Sequence, residues 1–551
     1  MSALTEETVM DILPWFTGGG FYMNGEQYSL TIFEGSLSSH KVVLQSVLEL
    51  PVSATYFDAQ NSSECQSSVD GLDGFGDRLC AGGSFQTNFS ATYQLQVVDG
   101  FNLTVDDEVF AVGDLATDII QIGDVEIANM RFGVAKNNIA EAGCIGLGYG
   151  LNNETATDDP YHSLLEELEA AGAINSKLYS LWLNGSGAPT GSIVFGGMNP
   201  GYIAGELVSV DFLPSLTNWK GTAVSNGQTD IEAVTQPIIA ITNIGVTYGN
   251  GTKLVVYENG DPTGQASDSL PSVLDASEEW WATSSDAYWA MSPMIPGLNG
   301  TTGVISCEAG NDNINVTVSF ANLTTIDVPL ANLVSPVYDP WTRIQNTTSE
   351  GLPLCYFALY PFNGSLSEPY TLGNSVMRSA YLVFDLDNAQ VSIAQAVTSS
   401  CGIYGCDNVV EIPAGPNGVA RALAAQDLWS VAIVTASSNA GLMEALITAT
   451  DISDAPTPVA RTTTPGVGTA VGTAAIPSHG EVIAQTVLSS GALGSVTRSA
   501  ASTSSATASS SATASQKAAA CRLSRPTWTD TVPLLGVIGT AVAVLSLARI
   551  L

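Results

Sequence analysis

Between residues 20 and 400 the chain consists mainly of short runs of β-forming residues separated by Gly, Asn, Asp and Pro. β-branched and aromatic residues favour strands, whereas the separating residues favour turns. Two helices are predicted, at Tyr161–Ala171, which Gly172 follows as a stop, and at Asp286–Met291. The pattern predicts a mostly β fold, and its clearest runs are Tyr28–Phe33, Ile119–Phe132, Gly191–Gly196, Leu254–Tyr257 and Ala380–Ile393.

The charge of the chain restricts its partners. Among 551 residues, 16 are Lys or Arg and 53 are Asp or Glu, which gives a formal net charge of −37. Such a surface repels phosphates, so we expect no nucleic-acid partner. The acidity either increases solubility or suits an acidic extracellular milieu, in which many carboxylates are protonated.

Metal and histidine chemistry find little support in the sequence. The 8 cysteines include no Cys-x-x-Cys pair, and the 3 histidines (His40, His162 and His479) lie far apart. A zinc site and a Ser-His-Asp triad are therefore not predicted. We expect no metal and no cofactor.

The glycosylation sequons indicate an exported protein. Eleven Asn-x-Ser/Thr sequons occur within the predicted folded region and none in the Ser/Thr-rich tail, which favours a glycosylated ectodomain in which disulfides can form. Met1–Gly20 lacks the basic and apolar regions of a secretory signal, so either the protein is not exported or its true start lies upstream. The C-terminal segment favours the second alternative. The sequons begin at Asn61, Asn88, Asn102, Asn153, Asn184, Asn250, Asn299, Asn315, Asn322, Asn346 and Asn363.

The C-terminal part resembles a stalk followed by an anchor signal. Residues 461–520 are dominated by Thr, Ser, Ala, Gly and Val and cannot bury a core. They end in a small triplet around Ala519, the polar spacer Cys521–Thr531 follows, and residues 532–551 are almost wholly apolar. This order is typical of a lipid-anchor signal that is cleaved near Ala519, and a single transmembrane helix is the alternative.

A buried carboxylate is the main candidate for chemistry. The apolar run that starts at Leu270 ends abruptly in Asp275 and is followed by small residues. A carboxylate at the end of a buried strand is costly unless it is hydrogen-bonded or used in a reaction. The functional question is whether Asp275 has a partner carboxylate.

Several motifs resemble those of the pepsin-like aspartic proteases, in collinear order over residues 20–400. The resemblance implies a bilobal β fold with an N-terminal lobe (20–190) and a C-terminal lobe (191–400). A poorly defined N-terminus (1–19) would precede the lobes, and an Ala-rich extension (401–460), the stalk (461–531) and the apolar tail (532–551) would follow them. The motifs are the family's C-terminal signature at Tyr370–Gln395, the inter-lobe segment at Gly191–Leu207, the Gly-rich element at Gly143–Gly150, the flap strands at Phe101–Asp118, and the helix and strand at Tyr161–Leu183.

The resemblance also implies a site. In this family each lobe supplies an Asp-Thr/Ser-Gly loop, and the two Asp residues share a proton and activate a water. Asp275 falls on the second of these positions, but Ala276 replaces the hydroxyl residue and Ser277 replaces the Gly. Aligning Leu48–Phe57 with the first loop gives Glu49 in place of Asp, although a shift of one residue would lose even the Glu.

Further departures converge on this site. Leu50 and Pro51 replace the Thr and Gly of the first loop, so a hydroxyl and a backbone N–H donor are lost. Val105 stands where the family has the flap Tyr, and Asn374 stands where an Asp is common.

The resemblance implies the cysteine pairing as well. We expect disulfides Cys65–Cys80, Cys307–Cys355 and Cys401–Cys406, with Cys144 as a buried free thiol.

Three functions are compatible with these features. The favoured hypothesis is a pepsin-like aspartic endopeptidase homologue at the fungal cell surface, whose architecture is yapsin-like and whose peptide hydrolysis is impaired or lost. The alternatives are an active endopeptidase with a Glu49/Asp275 dyad and a structural cell-wall glycoprotein. We expect a lipid-anchored monomer at the outer face of the plasma membrane or in the cell wall, with any peptide or protein partner in the inter-lobe cleft.

Overall fold

The computed structural model describes many segments of the chain between residues 9 and 463. They are residues 9–16, 26–34, 42–51, 53–62, 65, 83–105, 108–122, 125–138, 143–149, 163–186, 188, 191–213, 234, 236–258, 269–337, 345–348, 351–364, 369–398, 408–425, 433–435 and 461–463. The predicted Cys401–Cys406 bridge, the cleavage region around Ala519 and the apolar tail lie outside the described residues, as does the stalk apart from residues 461–463.

The fold is mostly β, as predicted. In chain order the strands are β1 Val9–Phe16, β2 Glu26–Glu34, β3 Val42–Glu49, β4 Tyr56–Asp58, β5 Gln94–Val105, β6 Glu108–Ile122, β7 Val125–Asn138, β8 Gly143–Gly146, β9 Leu178–Trp182, β10 Gly191–Phe195, β11 Gly197–Met198, β12 Ile203–Asp211, β13 Ile238–Tyr248, β14 Lys253–Glu258, β15 Leu270–Leu274, β16 Trp281–Ser284, β17 Val304–Ser306, β18 Ile314–Phe320, β19 Thr324–Pro329, β20 Val334–Pro336, β21 Leu354–Phe357, β22 Leu359–Phe362, β23 Tyr370–Leu372, β24 Ala380–Asp385, β25 Gln390–Ala396, β26 Val410–Glu411, β27 Ile433–Thr435 and β28 Arg461–Thr463.

Two large sheets contain most of these strands. A 14-stranded sheet has the order β27-β12-β25-β24-β9-β10-β1-β2-β3-β8-β4-β7-β6-β5, so it holds strands from both halves of the chain. A 9-stranded sheet is built around the order β19-β18-β13-β15-β23-β16-β22, and smaller sheets pair β11 with β26 and β21 with β17 and β20. The arrangement is the bilobal pepsin-like fold.

Alternation of apolar and polar residues explains many of the strands. In β18, INVTVSF, the buried residues alternate with half-exposed ones, which is the pattern of a strand with one face in the core. The run Ile119–Phe132 is divided between β6 and β7, which form a hairpin with Ile122 opposite Val125. Gly123 and Asp124 intervene in the sequence and are typical turn residues.

The helices are short: α1 Leu164–Ala170, α2 Ser285–Met291, α3 Asn374–Met377 and α4 Gly418–Ala425. The Ser163 hydroxyl accepts from the Glu166 N–H, and the Glu166 carboxylate accepts from the Ser163 N–H at 2.8 Å, which forms a capping box. This cap explains why α1 begins at Leu164 and not at the predicted Tyr161. Gly172, with φ of +72°, follows its end.

Part of the Ala-rich extension belongs to the folded core. Residues of α4 and its preceding strand pack against one face of the large sheet, where they bury apolar side chains that would otherwise be exposed. The sequence alone assigned no role to this segment. The cluster consists of Leu178, Met198, Ile203, Leu207, Tyr381, Val383, Ala394, Val410, Ile412, Val419, Ala422 and Leu423.

The cysteines of the described region follow the pairing that the resemblance implies where both partners are described. A disulfide joins Cys307 to Cys355, and Cys144 is a buried thiol outside any disulfide. Cys65 is disulfide-bonded, but the predicted partner Cys80 lies outside the described residues.

Within the part of the chain that the structure describes, no helix is both long and apolar enough to cross a membrane.

Two glycines allow loops of the two lobes to approach a neighbouring strand closely. A Cβ on Gly146, the last residue of β8, would lie 2.2 Å from the carbonyl carbon of Ser53. A Cβ on Gly373, directly after β23, would lie 2.3 Å from the carbonyl oxygen of Trp280. In both cases main-chain atoms fill the space, so a side chain fits only if the loop moves.

We predict that Gly146→Ala and Gly373→Ala each destabilise the protein by about 1–3 kcal/mol, because the added methyl group overpacks a buried backbone contact. Denaturant unfolding measures the change. Gly185→Ala is the matched control: its Cβ would contact Thr398 at an ordinary 3.5 Å, and we expect a change within about 0.5 kcal/mol. Equal stability of Gly146→Ala and Gly185→Ala would contradict this account of the packing.

Candidate active site

Asp275 lies at the end of a central strand. It follows β15, which is flanked by β13 in antiparallel and by β23 in parallel orientation. The Asp275 N–H donates to the Leu372 carbonyl at 3.2 Å, and the side chain is only 2% exposed. The sequence pattern therefore located a buried carboxylate at the end of a strand.

Ser277 provides two of the hydrogen bonds to this carboxylate. Its backbone N–H donates to Asp275 Oδ1 at 2.9 Å, and its hydroxyl donates to the same oxygen at 2.7 Å. Burial raises the pKa of Asp275 to about 6, although hydrogen bonds from the Ser277 hydroxyl and from the N–H groups of Ser277 and Glu278 lower it. From the sequence, the Ser277 side chain is only a replacement for the Gly of the family. An Asp-x-Ser segment in which the Asp accepts from the residue two positions on is a recognisable turn signal.

The first lobe contains a segment with the same backbone pairing. β3 runs parallel to β8, with Leu48 opposite Ile145 and Glu49 opposite Gly146. β15 runs parallel to β23, with Leu274 opposite Leu372. Asp275 and Gly373 are the next residues along β15 and β23. They occupy the positions that Glu49 and Gly146 have at the ends of β3 and β8.

The strands after the two loops test this alignment independently. β4 crosses β8 with Tyr56 opposite Cys144, and β16 crosses β23 with Trp281 opposite Leu372. When Gly146 is matched to Gly373 and Glu49 to Asp275, the two antiparallel pairs have the same register. A shift of one residue in the first loop would break the match, so the backbone aligns Glu49, and not its neighbours, with Asp275.

The Glu49/Asp275 dyad requires the two carboxyl groups to meet. The backbone of Glu49 ends β3, but its carboxyl group lies outside what the structure describes. The short separation from Asp275 that a shared proton requires therefore stays a prediction.

The residues that follow the two carboxylate positions are apolar and buried. Leu50 is 1% exposed and Ala276 is 0% exposed, and Pro51 is also buried. None of these side chains can donate or accept a hydrogen bond, and Pro51 has no backbone N–H. The resemblance places a hydroxyl residue at the positions of Leu50 and Ala276. The hydrogen bonds with which those hydroxyls brace the loops in the family have no equivalent from these side chains.

Other polar groups surround the second loop. The Asn374 amide donates to the Ala276 carbonyl at 3.3 Å, which connects α3 to the loop. Glu279 is buried and Glu278 is half-buried, so the loop carries three acidic residues within five positions. Burial raises the pKa of Tyr360, and the nearby Glu278 carboxylate adds to this shift.

The predicted flap is a β-hairpin. β5 and β6 pair up to Val105 and Glu108, so Val105 lies at the closed end of the hairpin. Its side chain lies outside the described part of the structure.

Comparisons with known proteins identify the family of the chain. Residues 61–396 match the eukaryotic aspartyl protease family, a range that includes Asp275 and begins after Glu49. The chain is 30% identical over 357 residues to the probable aspartic-type endopeptidase OPSB of Arthroderma benhamiae, covering 64% of this chain and 66% of the relative. It is 30% identical over 388 residues to the probable aspartic-type endopeptidase opsB of Aspergillus fumigatus, covering 69% and 70%.

A third relative matches a shorter part of the chain. Secreted aspartic protease 9 of Candida albicans is 29% identical over 318 residues, which cover 57% of this chain and 52% of the relative. The chain thus spans between about half and about two thirds of the length of these relatives. It belongs to the pepsin-like eukaryotic aspartyl protease family.

We predict that Asp275 makes the protein more stable in acid. Its pKa in the folded protein, about 6, lies above the value of about 3.9 for an exposed Asp, so the folded state binds this proton more tightly. The contribution is complete below about pH 4 and is lost as the pH rises through about 6. Two pKa units correspond to about 3 kcal/mol.

Urea unfolding at about pH 4 and about pH 7 measures this difference. Asp275→Asn should remove about 2 kcal/mol of it, because the amide does not titrate and because an exposed Asp is still about half ionised at pH 4. The other carboxylates cancel in the comparison of variant with parent. An identical pH dependence in the two proteins would show that Asp275 does not titrate as the structure indicates.

We also predict a specific role for the Ser277 hydroxyl. Ser277→Ala removes a hydrogen bond to the charged form and should raise the pKa of Asp275 further, by about one unit. Ser277→Thr keeps the hydroxyl and should preserve the parent value. The carboxyl carbon of Asp275, followed by NMR during a pH titration, reports the pKa directly. A pKa that is unchanged in Ser277→Ala would refute the role.

Proposed function

We propose that this protein is an aspartic endopeptidase homologue of the cell surface that binds peptides in its cleft but hydrolyses them weakly or not at all. The observation that carries the proposal is the buried, apolar pair Leu50 and Ala276 directly after the two carboxylate positions. The resemblance places at both positions the hydroxyls that lock the loops together. Without such bracing, these two side chains cannot hold the two loops in the mutual geometry that a shared proton requires.

The substitution at the first position adds to this effect. Glu49 is one methylene longer than Asp, so its oxygens are displaced by about 1 Å, and a misplacement on that scale can cost about a hundredfold in rate. Pro51 supplies no backbone N–H where the family has a Gly. Asp275 in turn accepts two hydrogen bonds from Ser277 on one oxygen, which holds its carboxyl group to its own loop.

The proposal of peptide binding is supported by the strands that border the loops. The flap hairpin of β5 and β6 and the two strand-end loops are in place. A cleft with these walls can hold an extended peptide even when the chemistry is slow. We propose a monomeric protein with a peptide or protein ligand and no cofactor.

An active endopeptidase is the second candidate, and the register of the loops favours it. Glu49 stands opposite Gly146 and Asp275 precedes Gly373, so the two carboxylate residues occupy equivalent backbone positions. With a pKa of about 6, Asp275 is protonated in acid and could supply the proton of a dyad in which Glu49 is the base.

The location that we propose is extracellular, with a glycosylated surface and a C-terminal lipid anchor. A relative is named as secreted, and every sequon asparagine within the described residues is exposed or half-exposed. The anchor rests on the order of small triplet, spacer and apolar tail in the sequence. If every ligand test failed, the result would point to a structural cell-wall glycoprotein without peptide binding.

The test uses the full chain, produced through a fungal secretory pathway and solubilised in mild detergent. We expect pepstatin-type inhibitor to bind at about pH 4, where aspartic-protease chemistry operates, with little or no cleavage of denatured protein substrates. Asp275→Asn is the control: cleavage that survives this change would exclude the dyad, and cleavage that disappears would establish the active alternative.

Restoring the family loops provides the complementary experiment. A variant with Glu49→Asp, Leu50→Thr, Pro51→Gly, Ala276→Thr and Ser277→Gly should gain about a hundredfold or more in cleavage rate, because the hydroxyl and glycine positions return together. The same variant with Asp275→Asn should lose the gain. A parent protein that already cleaves as fast as the restored variant would overturn the proposal of impaired hydrolysis.

A further inference from the structure

Trp289 is an unusually exposed aromatic residue. The large apolar side chains that are exposed within the described residues are Leu95, Val98, Trp289 and Leu323, and Trp289, at 51% exposure, is the only aromatic ring among them. It lies on α2, next to the buried Tyr288, whose ring it meets edge-on with the centroids 5.1 Å apart. An indole that is half buried and half open presents one fixed apolar surface to the solvent.

A turn with an Asn-Gly-Thr sequon lies beside this surface. The Tyr288 hydroxyl donates to the Gly300 carbonyl at 2.8 Å. A Cβ built on Gly300 would lie 3.6 Å from Trp289 Cζ3. Asn299, the preceding residue, is exposed, so the sequon begins next to the indole.

The turn holds the Asn299 side chain in one orientation. Its Oδ1 accepts from the N–H groups of Thr301 at 3.1 Å and of Thr302 at 3.3 Å. The backbone of Asn299 is fixed by its N–H bond to Val304 and by the Gly303 N–H bond to its carbonyl. Because Oδ1 is the atom that the turn engages, Nδ2, the atom to which an N-linked sugar attaches, is left for the solvent side.

We propose that Asn299 carries an N-linked glycan whose first sugar packs on the indole of Trp289. The inference rests on the extracellular location proposed above. The C–H face of a pyranose ring is apolar, so contact with the open face of Trp289 removes apolar surface of both groups from water. The rigid turn reduces the entropy that this contact costs.

A second sequon lies at the other end of α2. Asn363 Oδ1 accepts from the Ser285 hydroxyl at 3.1 Å, and Ser285 lies one helical turn before Trp289. A glycan at Asn363 is therefore the competing source of the same contact. Asn299 is the better candidate because the turn that contains it lies against Tyr288 and Trp289 themselves. Asn363 contacts α2 at Ser285, a turn away from the ring.

The experiment uses the full chain made in a glycosylating host and trimmed enzymatically to the first sugar. Glycopeptide mass spectrometry gives the occupancy of each sequon, and the rate of Trp289 oxidation by N-bromosuccinimide reports cover of its ring. Thr301→Ala abolishes the sequon and Thr301→Ser keeps it. Ser365→Ala abolishes the Asn363 sequon, and Thr252→Ala abolishes the Asn-Gly-Thr sequon at Asn250, whose side chain forms the same kind of turn with Thr252 N–H at 2.9 Å.

We expect Asn299 to be occupied and Trp289 to be oxidised several times faster in Thr301→Ala than in the other variants. The Tm should fall by about 2 °C in Thr301→Ala, which is the effect of a single aromatic contact in a chain of this size, and the fall should vanish in a Trp289→Ala background. Trp289 is half exposed, so its replacement should leave the fold intact.

Four results would overturn the inference. Equal oxidation rates in Thr301→Ala and Thr301→Ser would show that the glycan does not cover the ring, and faster oxidation in Ser365→Ala alone would assign the contact to Asn363. An unoccupied Asn299 among occupied sequons would reject this site but leave the extracellular location standing, whereas a chain with every sequon unoccupied would reject both.

Discussion

Each half of this molecule is organised around a backbone contact at which a loop passes over a glycine of the neighbouring strand. At Gly146 the space that a Cβ would need is filled by main-chain atoms of Ser53, and at Gly373 by those of Glu278 and Trp280. The contact fixes where each loop turns, which strand follows it and where the preceding strand ends. Because the atoms involved belong to the main chain, the path of the loop does not depend on the side chains at Leu50 or Ala276. The scaffold can therefore remain intact while the loop residues change.

The burial of Asp275 follows from the same geometry. A strand end covered by a returning loop excludes water, and an ionised carboxylate there loses solvation that only nearby donors can replace. Three donors come from the residues just after it, the hydroxyl and N–H of Ser277 and the N–H of Glu278, yet its pKa still rises to about 6. Burial thus exceeds local hydrogen bonding, and the charge state of this carboxylate changes within the acid range. This property belongs to the loop and the strand end, whether or not a second carboxylate shares the proton.

The sequence predicted features that depend on local patterns and missed features that depend on distant contacts. The β content, α2 and the position of Asp275 at a strand end follow from periodicity and from one abrupt change of polarity. α1 begins at Leu164, later than the apolar pattern predicts, because the capping box of Ser163 and Glu166 fixes its first turn. The role of α4 could not be read from its Ala-rich sequence, because the surface that it covers comes from strands far away in the chain.

The hydroxyl of Ser277 is not predicted as a donor, because comparison with the family draws attention to a lost Gly and not to a gained donor. The alignment of Glu49 required two independent pairings, β3 with β8 and β4 with β8, which no single segment encodes.

The requirements of the fold and those of the chemistry fall on different atoms of the same loops. The fold needs glycine at 146 and 373, because backbone atoms occupy the space beside them, and both glycines are present. The chemistry of the family needs two carboxylates of equal length braced by hydroxyls, and these are side-chain properties. Glu49, Leu50 and Ala276 differ in these respects, while Leu50 and Ala276 remain small or apolar enough to be buried. A loop held by its main chain tolerates such changes at little cost in stability, so the weakened proteolysis that we propose does not require a loss of the fold. On that proposal, the cleft persists as a binding surface.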